Sequence, residues 1–137
     1  MSIMFEYVER EALMKCLEQH PDYISIVIDE RIEGGRQLID LIECGVHSPY
    51  VNDNWDGLLD VIRALDAVEN QTVNFIHMSL PKLKHSEMLI YLDILRIACE
   101  EWNDMEGLAY RWEHKIDVHF YFAKELRESV ESILSRQ

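Results

Sequence analysis

Three carboxylates lie close together in residues 50–68, which read YVNDNWDGLLDVIRALDAV. The segment has apolar residues at helical spacing. At about 100° per residue, Asp53, Asp56 and Asp60 fall within an arc of roughly 60° on the other side of the predicted helix. Gly57 lies beside them and offers a stretch of backbone without a side chain. Carboxylates on a rigid helix accept charge-assisted hydrogen bonds from arginine or lysine. The pattern therefore predicts a recognition surface for a bulky cationic partner.

Helix stability alone accounts for two of these acids. Asp53 could cap the helix, and Asp56 in the first turn would gain about 0.3–1 kcal/mol from the helix dipole. Asp60 gains little from either effect, because it lies deeper in the helix and four residues after another acid, an arrangement that costs stability. Asp60 is therefore the acid that most favours partner binding.

Catalytic chemistry is not indicated by the sequence. It contains no GxGxxG, GxxxxGK[ST] or GxSxG motif. Asp56 and Asp60, one turn apart on an open helix, lack the enclosed pocket that a carboxylate pair needs for glycoside hydrolysis. Neither His77 nor His119 has the spacing of a helical metal site. The sequence therefore predicts no enzyme, no catalytic residue, no metal and no cofactor.

The charge balance is strongly acidic, with a formal net charge of −13. An acidic excess repels nucleic acid and anionic membranes, and it attracts a basic partner over long range. Solubility alone would also explain it. Cys16, Cys44 and Cys99 are odd in number and widely spaced, which predicts reduced, buried thiols in a cytoplasmic protein. A signal peptide and a membrane-spanning run are not predicted.

The elements that must position the acids follow from the apolar pattern. Besides the acidic helix, helices are predicted over residues 4–19, 36–43 (with Gly45 as the C-terminal cap), 86–102 and 125–136, with a loop or short helix over 103–114. Strands are predicted over residues 23–29, 72–80 and 115–123. Because strands alternate with helices, the prediction is an α/β fold: one domain over residues 1–137, with a small three-stranded parallel sheet and about six helices.

The segment NWDGLLDVIRALD resembles the helix of barstar-type ribonuclease inhibitors, in which an Asn precedes an aromatic or aliphatic residue and two Asp lie four apart. The matching positions are Asn54, Asp56 and Asp60, with Tyr50 four residues upstream of Asn54. The later segments TVNFIHMSLP, EMLIYLDILRIACEEW and KIDVHFYF follow in the family's order of strand, helix and strand. The resemblance covers about residues 23–123 and leaves helical extensions at both termini.

The resemblance implies an immunity protein that blocks the cationic active site of a cognate ribonuclease toxin, as a monomer in a 1:1 complex. Asp60 would be the deepest anchor, and Asp56 and Asp53 would add flanking contacts. Tyr50 would stack on a histidine or arginine of the toxin. Gly57 would allow the partner to approach closely.

Four further positions qualify this picture. Asn54 is expected to shape the junction between loop and helix. Trp55 has the phase of a core residue, with a partner contact as the alternative. Leu59 stands where barstar has a Trp, and Ile97 stands where the family can place an acidic contact residue. Both departures favour a different toxin partner on the same scaffold.

Two other functions stay open. One is an immunity protein whose toxin is not a ribonuclease, or that binds away from the toxin's active site. The other is an acidic adaptor or regulator without nuclease inhibition. Trp102 and Trp112 are expected to cover the core, although a second contact patch with Tyr110 and Glu113 is the alternative.

Overall fold

A parallel sheet of four strands forms the centre of the computed structural model, which describes residues 5–49, 52, 54–104 and 113–135. The strands are β1 (Glu6–Val8), β2 (Ile24–Ile28), β3 (Gln71–His77) and β4 (Ile116–Ala123). Their order across the sheet is β1-β4-β3-β2. In the three longer strands Ile26 pairs with Phe75, and Phe75 pairs with Phe120.

Five α-helices accompany the sheet in the described part of the chain. They are α1 (Arg10–Gln19), α2 (Gly35–Gly45), α3 (Trp55–Ala64), α4 (His85–Trp102) and α5 (Arg127–Leu134), which a 3₁₀ turn at Lys124–Leu126 precedes. The predicted α/β class with a parallel sheet is confirmed. The predicted counts of three strands and about six helices differ from these.

The additional strand lies in residues 4–19, where the sequence pattern predicted one continuous helix. Only Arg10–Gln19 is helical, and Glu6–Val8 pairs in parallel with the end of β4. Phe5 and Tyr7 are two residues apart and therefore lie on the same face of the sheet. Their ring centroids lie 5.0 Å and 5.9 Å from that of Phe122. Strand pairing and burial outweigh the local helical pattern here. The prediction of a purely helical N-terminal extension was therefore wrong.

The connections place the helices on both faces of the sheet. The chain steps in one direction from β2 to β3 to β4, whereas the step from β1 to β2 crosses the sheet in the other direction. Because such crossovers are right-handed, α1 lies on the face opposite α2, α3 and α4. The large core includes Phe75 and Phe120, and a smaller cluster joins Leu13 of α1 to Ile76.

Two details of the helices differ from the sequence predictions. Gly45 is not a cap that follows α2 but its last residue. A Cβ there would lie 2.8 Å from Cγ1 of Ile26, so the glycine lets α2 approach the sheet closely. The acidic helix α3 ends at Ala64, because Leu65 adopts the left-handed conformation with φ 45°.

The cysteines were predicted to be buried, and this is correct only for Cys99. Cys16 is half-buried and Cys44 is exposed on the outer side of α2, because it lies off the stripe of α2 that packs on the sheet. All three are free thiols. Among the described helices, none combines the length and the apolar character needed to cross a bilayer.

Candidate functional site

The start of α3 is held by a side-chain cap. Asn54 has extended backbone angles, and its Oδ1 accepts a hydrogen bond of 2.7 Å from the backbone N–H of Gly57. Such a cap is worth about 1 kcal/mol of helix stability. The predicted role of Asn54 at the loop–helix junction is thereby confirmed. Tyr50 and Asp53, predicted to contact the partner, lie outside the described residues.

The rest of α3 is fixed by the core and by α4. Leu58 and Ile62 are fully buried. The Trp102 indole N–H donates a 2.9 Å hydrogen bond to the carbonyl of Ile62. This carbonyl has no N–H donor within the helix, because α3 ends two residues later. Trp102 is itself buried, so its expected place in the core is confirmed, whereas Trp112 and Tyr110 lie outside the described residues.

Asp56 and Asp60 lie on the opposite, exposed side of α3. Within the described chain neither carboxylate makes a hydrogen bond or an ion pair. The nearest cation along the helix is Arg63, which bonds to Glu101 at 2.6 Å. The hydrogen bond to Glu101 is the main cause of the raised pKa of Arg63, and the charge of Asp60 adds a smaller effect. Both carboxylates are thus accessible from outside the protein.

The space beside Gly57 is filled from within the chain. A Cβ at this position would lie only 2.5 Å from Cγ of Asn52. Packing within the protein therefore explains why this residue is a glycine, since it lets the loop before α3 lie against the helix. Its predicted role in admitting a partner's backbone stays a prediction, and Asn52 covers part of that surface.

Glu43 anchors the same loop and was not identified from the sequence. Its side chain is 5% exposed and accepts hydrogen bonds from the backbone N–H and the side-chain amide of Asn52, at 3.0 Å and 3.1 Å. The sequence does indicate that Glu43 is buried, because it follows Ile39 by four residues and so lies on the apolar stripe of α2. A carboxylate on such a stripe indicates a buried acceptor with dedicated donors.

Trp55 points inward, as its helical phase indicated. It is half-buried, and its ring lies 6.3 Å from that of Tyr91 on α4. It also packs so closely on Gly35 that a Cβ there would lie 2.6 Å from the indole. Leu59 is partly buried against the same core. Neither side chain adds an exposed aromatic contact to the acidic face.

A groove lies between α3 and the segment that follows α2. It has a volume of about 230 Å³. Its walls combine two carboxylates with apolar and small polar residues: Val46, Ser48, Pro49, Asn52, Gly57, Asp60, Val61, Ala64, Leu65 and Asp66. The groove therefore places Asp60, the predicted central anchor, at the edge of a concave surface.

The histidines considered as ligands or catalysts have partners within the protein. His77 is buried and contacts Tyr91 and the carbonyl of Tyr121. His119 lies between the carboxylates of Glu6 and Asp117, each at 2.9 Å. In the part of the chain that the structure describes, no cluster of three or more histidine, cysteine or acidic side chains has the arrangement of a metal site.

Comparison of the chain with protein-family models, with curated proteins and with solved structures gave no significant match. The resemblance to barstar-type inhibitors therefore stays a prediction from residues 50–68 and from the order of the elements.

Proposed function

We propose that this protein is a cytoplasmic immunity protein that binds a basic protein toxin and covers its cationic active site with the exposed side of α3. A ribonuclease is the toxin class we place first. The observation that carries the proposal is the pair Asp56 and Asp60, exposed on a helix that is held at both ends and unpaired within the described chain.

Rigid placement of these acids favours tight binding. The cap by Asn54 and the bond from Trp102 restrain α3 before any partner arrives. A surface that is already ordered pays less conformational entropy on association. The side chain of Glu43 restrains the adjoining loop in the same way. The acidic face is thus organised for recognition in the free protein.

The order of the elements supports the same proposal. The chain runs β2, α2, α3, β3, α4 and β4, with the acids on the helix that leads into a central strand. From α3 onward this is the order that the resemblance gives: acidic helix, strand, helix and strand. Leu59 and Ile97 depart from the family pattern, and we propose for that reason that the toxin differs from barstar's own target.

Inhibition would need no chemistry from this protein. Ribonuclease sites hold cationic side chains that stabilise charge on the RNA phosphate. Asp60 and Asp56 would take the place of phosphate oxygens and accept hydrogen bonds from those cations. The bulk of α3 and its loop would exclude RNA. The acidity of the whole chain would speed the encounter with a basic toxin.

Asp60→Ala is the variant that tests this proposal. Removing a central, desolvated carboxylate is expected to weaken the complex by about 2 kcal/mol or more. The partner is captured from a lysate of the source organism, and its cleavage of a fluorogenic RNA is measured against increasing inhibitor. Glu18→Gln is the matched control, because it also removes one exposed acid but lies on α1, across the sheet.

The outcomes separate the alternatives. Loss of inhibition by Asp60→Ala but not by Glu18→Gln supports blockade of the active site. Wild-type protein that captures a nuclease without inhibiting it indicates binding away from the active site. A captured partner without nuclease activity, held equally by both variants, contradicts the proposal and favours an adaptor.

A further inference from the structure

We propose that the groove beside α3 receives one long cationic side chain, an arginine or a lysine, from the bound protein. The identity of that protein as a toxin rests on the proposed function, whereas the groove's selectivity for a cationic side chain follows from its own walls. The groove would thus be a binding site for a cationic side chain in addition to the exposed side of α3.

The charge of the groove selects a cation. Asp60 lies on one wall and Asp66, just beyond the end of α3, on another, and both residues are exposed. Their carboxylates make no hydrogen bond or ion pair with any described residue. None of the described residues that line the groove is cationic. The two negative charges attract a cationic occupant and repel an anionic one.

The apolar part of the walls selects a side chain rather than a bare ion. Among the lining residues, Pro49 is exposed and Ala64 is half-buried, and these two present apolar surface to the groove. The methylene stem of arginine or lysine lies well along apolar surface while its charged end meets carboxylates. A calcium ion instead requires about six to eight oxygen ligands, and the groove offers few carboxylates.

The size of the groove agrees with this occupant. Sites for drug-sized ligands and cofactors have volumes of about 300–1,000 Å³. The groove, at about 230 Å³, is smaller than that range. It is suited to one extended side chain supplied by a partner, whose other contacts would lie along Asp56 and the rest of the acidic face.

The test uses NMR titration of the isotope-labelled full-length protein with N-acetyl-arginine methylamide. The matched neutral probe is the citrulline derivative, which keeps the shape and length but lacks the charge. The arginine derivative is expected to shift the amide signals of groove residues such as Gly57, Leu65 and Asp66. The citrulline derivative is expected to bind several-fold more weakly.

Two variants and one control locate the binding. Ala64→Leu fills the groove without changing the charge and is expected to abolish the saturable shifts. Asp66→Asn is expected to weaken binding several-fold. Glu18→Gln, on the other face of the sheet, should bind the probe as the wild type does. A dispersed amide spectrum shows that each variant is folded.

Three results would overturn the proposal. They are equal binding of the two probes, undiminished binding by folded Ala64→Leu, and shifts spread over acidic residues throughout the surface. Because the probe needs no toxin, the groove is tested independently of the proposed function. Arginine binding that persists in a protein that inhibits no nuclease would refute the ribonuclease assignment alone.

Discussion

His77 is a buried histidine whose two ring nitrogens have different partners. A carbonyl oxygen can only accept, so Nδ1, 3.0 Å from the carbonyl of Tyr121, carries the proton. Nε2 then accepts from the hydroxyl of Tyr91. Burial is the main cause that lowers the pKa of His77 to about 4, while the bond to Tyr121 acts in the opposite direction. The folded protein therefore holds this histidine neutral.

The neutral state of His77 predicts acid sensitivity. Its pKa is about 6.5 in the unfolded chain and about 4 in the folded protein. The unfolded chain therefore takes up the proton first. Stability that is fully present above pH 6.5 is lost progressively as the pH falls toward about 4, by an amount on the order of 3 kcal/mol. The measurement is urea unfolding from about pH 7 to about pH 5.

His77→Gln provides the comparison, because glutamine also donates and accepts but does not titrate in this range. The variant is expected to show a smaller decrease in unfolding free energy over the same pH interval. The same pH dependence in both proteins would mean that other groups cause the acid sensitivity.

A second prediction at the residue scale concerns the stability of a Gly57 variant. Alanine is worth about 1 kcal/mol more than glycine inside a helix. Gly57→Ala is nevertheless expected to destabilise the protein, because its Cβ would collide with the Cβ and Cγ of Asn52. Thermal unfolding of Gly57→Ala, Asn52→Gly and the double variant measures the effect. Asn52→Gly also removes a hydrogen bond to Glu43, so the comparison is made within each background. Gly57→Ala should cost less stability in the Asn52→Gly protein than in the wild type, and an equal cost in both would contradict the steric explanation.

Among the elements, β1 shows why local pattern was insufficient. Phe5 and Val8 have helical spacing with Ala12 and Cys16, and Phe5 and Tyr7 also have strand spacing. Glu6–Val8 forms a strand rather than a helix because β4 pairs with its backbone and because Phe122 of β4 packs against the ring of Phe5. By contrast, β2, β3 and β4 were located from their own apolar residues, because buried strands are recognisable by composition.

The role of β1 in the core predicts that its loss is costly. Phe5 is 6% exposed and packs against Phe120 and Phe122. Phe5→Ala is expected to lower the free energy of unfolding by about 3 kcal/mol, because large-to-small changes in a core leave a cavity. Urea unfolding checks this, with Phe5→Leu as the control that keeps most of the volume. No loss of stability in Phe5→Ala would indicate that residues 23–123 are stable without β1.

At the scale of the whole molecule, the formal net charge of −13 acts over a longer range than any single contact. Long-range attraction accelerates the encounter of oppositely charged proteins, and salt screens it over a Debye length of about 10 Å at 0.1 M. Contacts that are dehydrated in the complex are screened much less. Under the proposed function, the association and dissociation rate constants should therefore respond differently to salt.

We expect the association rate constant with a basic partner to decrease steeply as ionic strength rises, while the dissociation rate constant changes little. Stopped-flow mixing over a series of salt concentrations measures association. Glu18→Gln should lower the association rate only slightly, whereas Asp60→Ala should mainly raise the dissociation rate. An association rate that is independent of salt would contradict a basic partner.

By itself the sequence determined the α/β class, three of the four strands, the location of α3 and the outward side of Asp56 and Asp60. These features depend on the periodicity of apolar residues within one segment. The tertiary structure decided the fourth strand, the buried anchor Glu43, the contact of Asn52 with Gly57 and the groove between Asp60 and Asp66. Each of these requires residues that are distant along the chain or on different elements to meet, and no local period encodes which of them will do so.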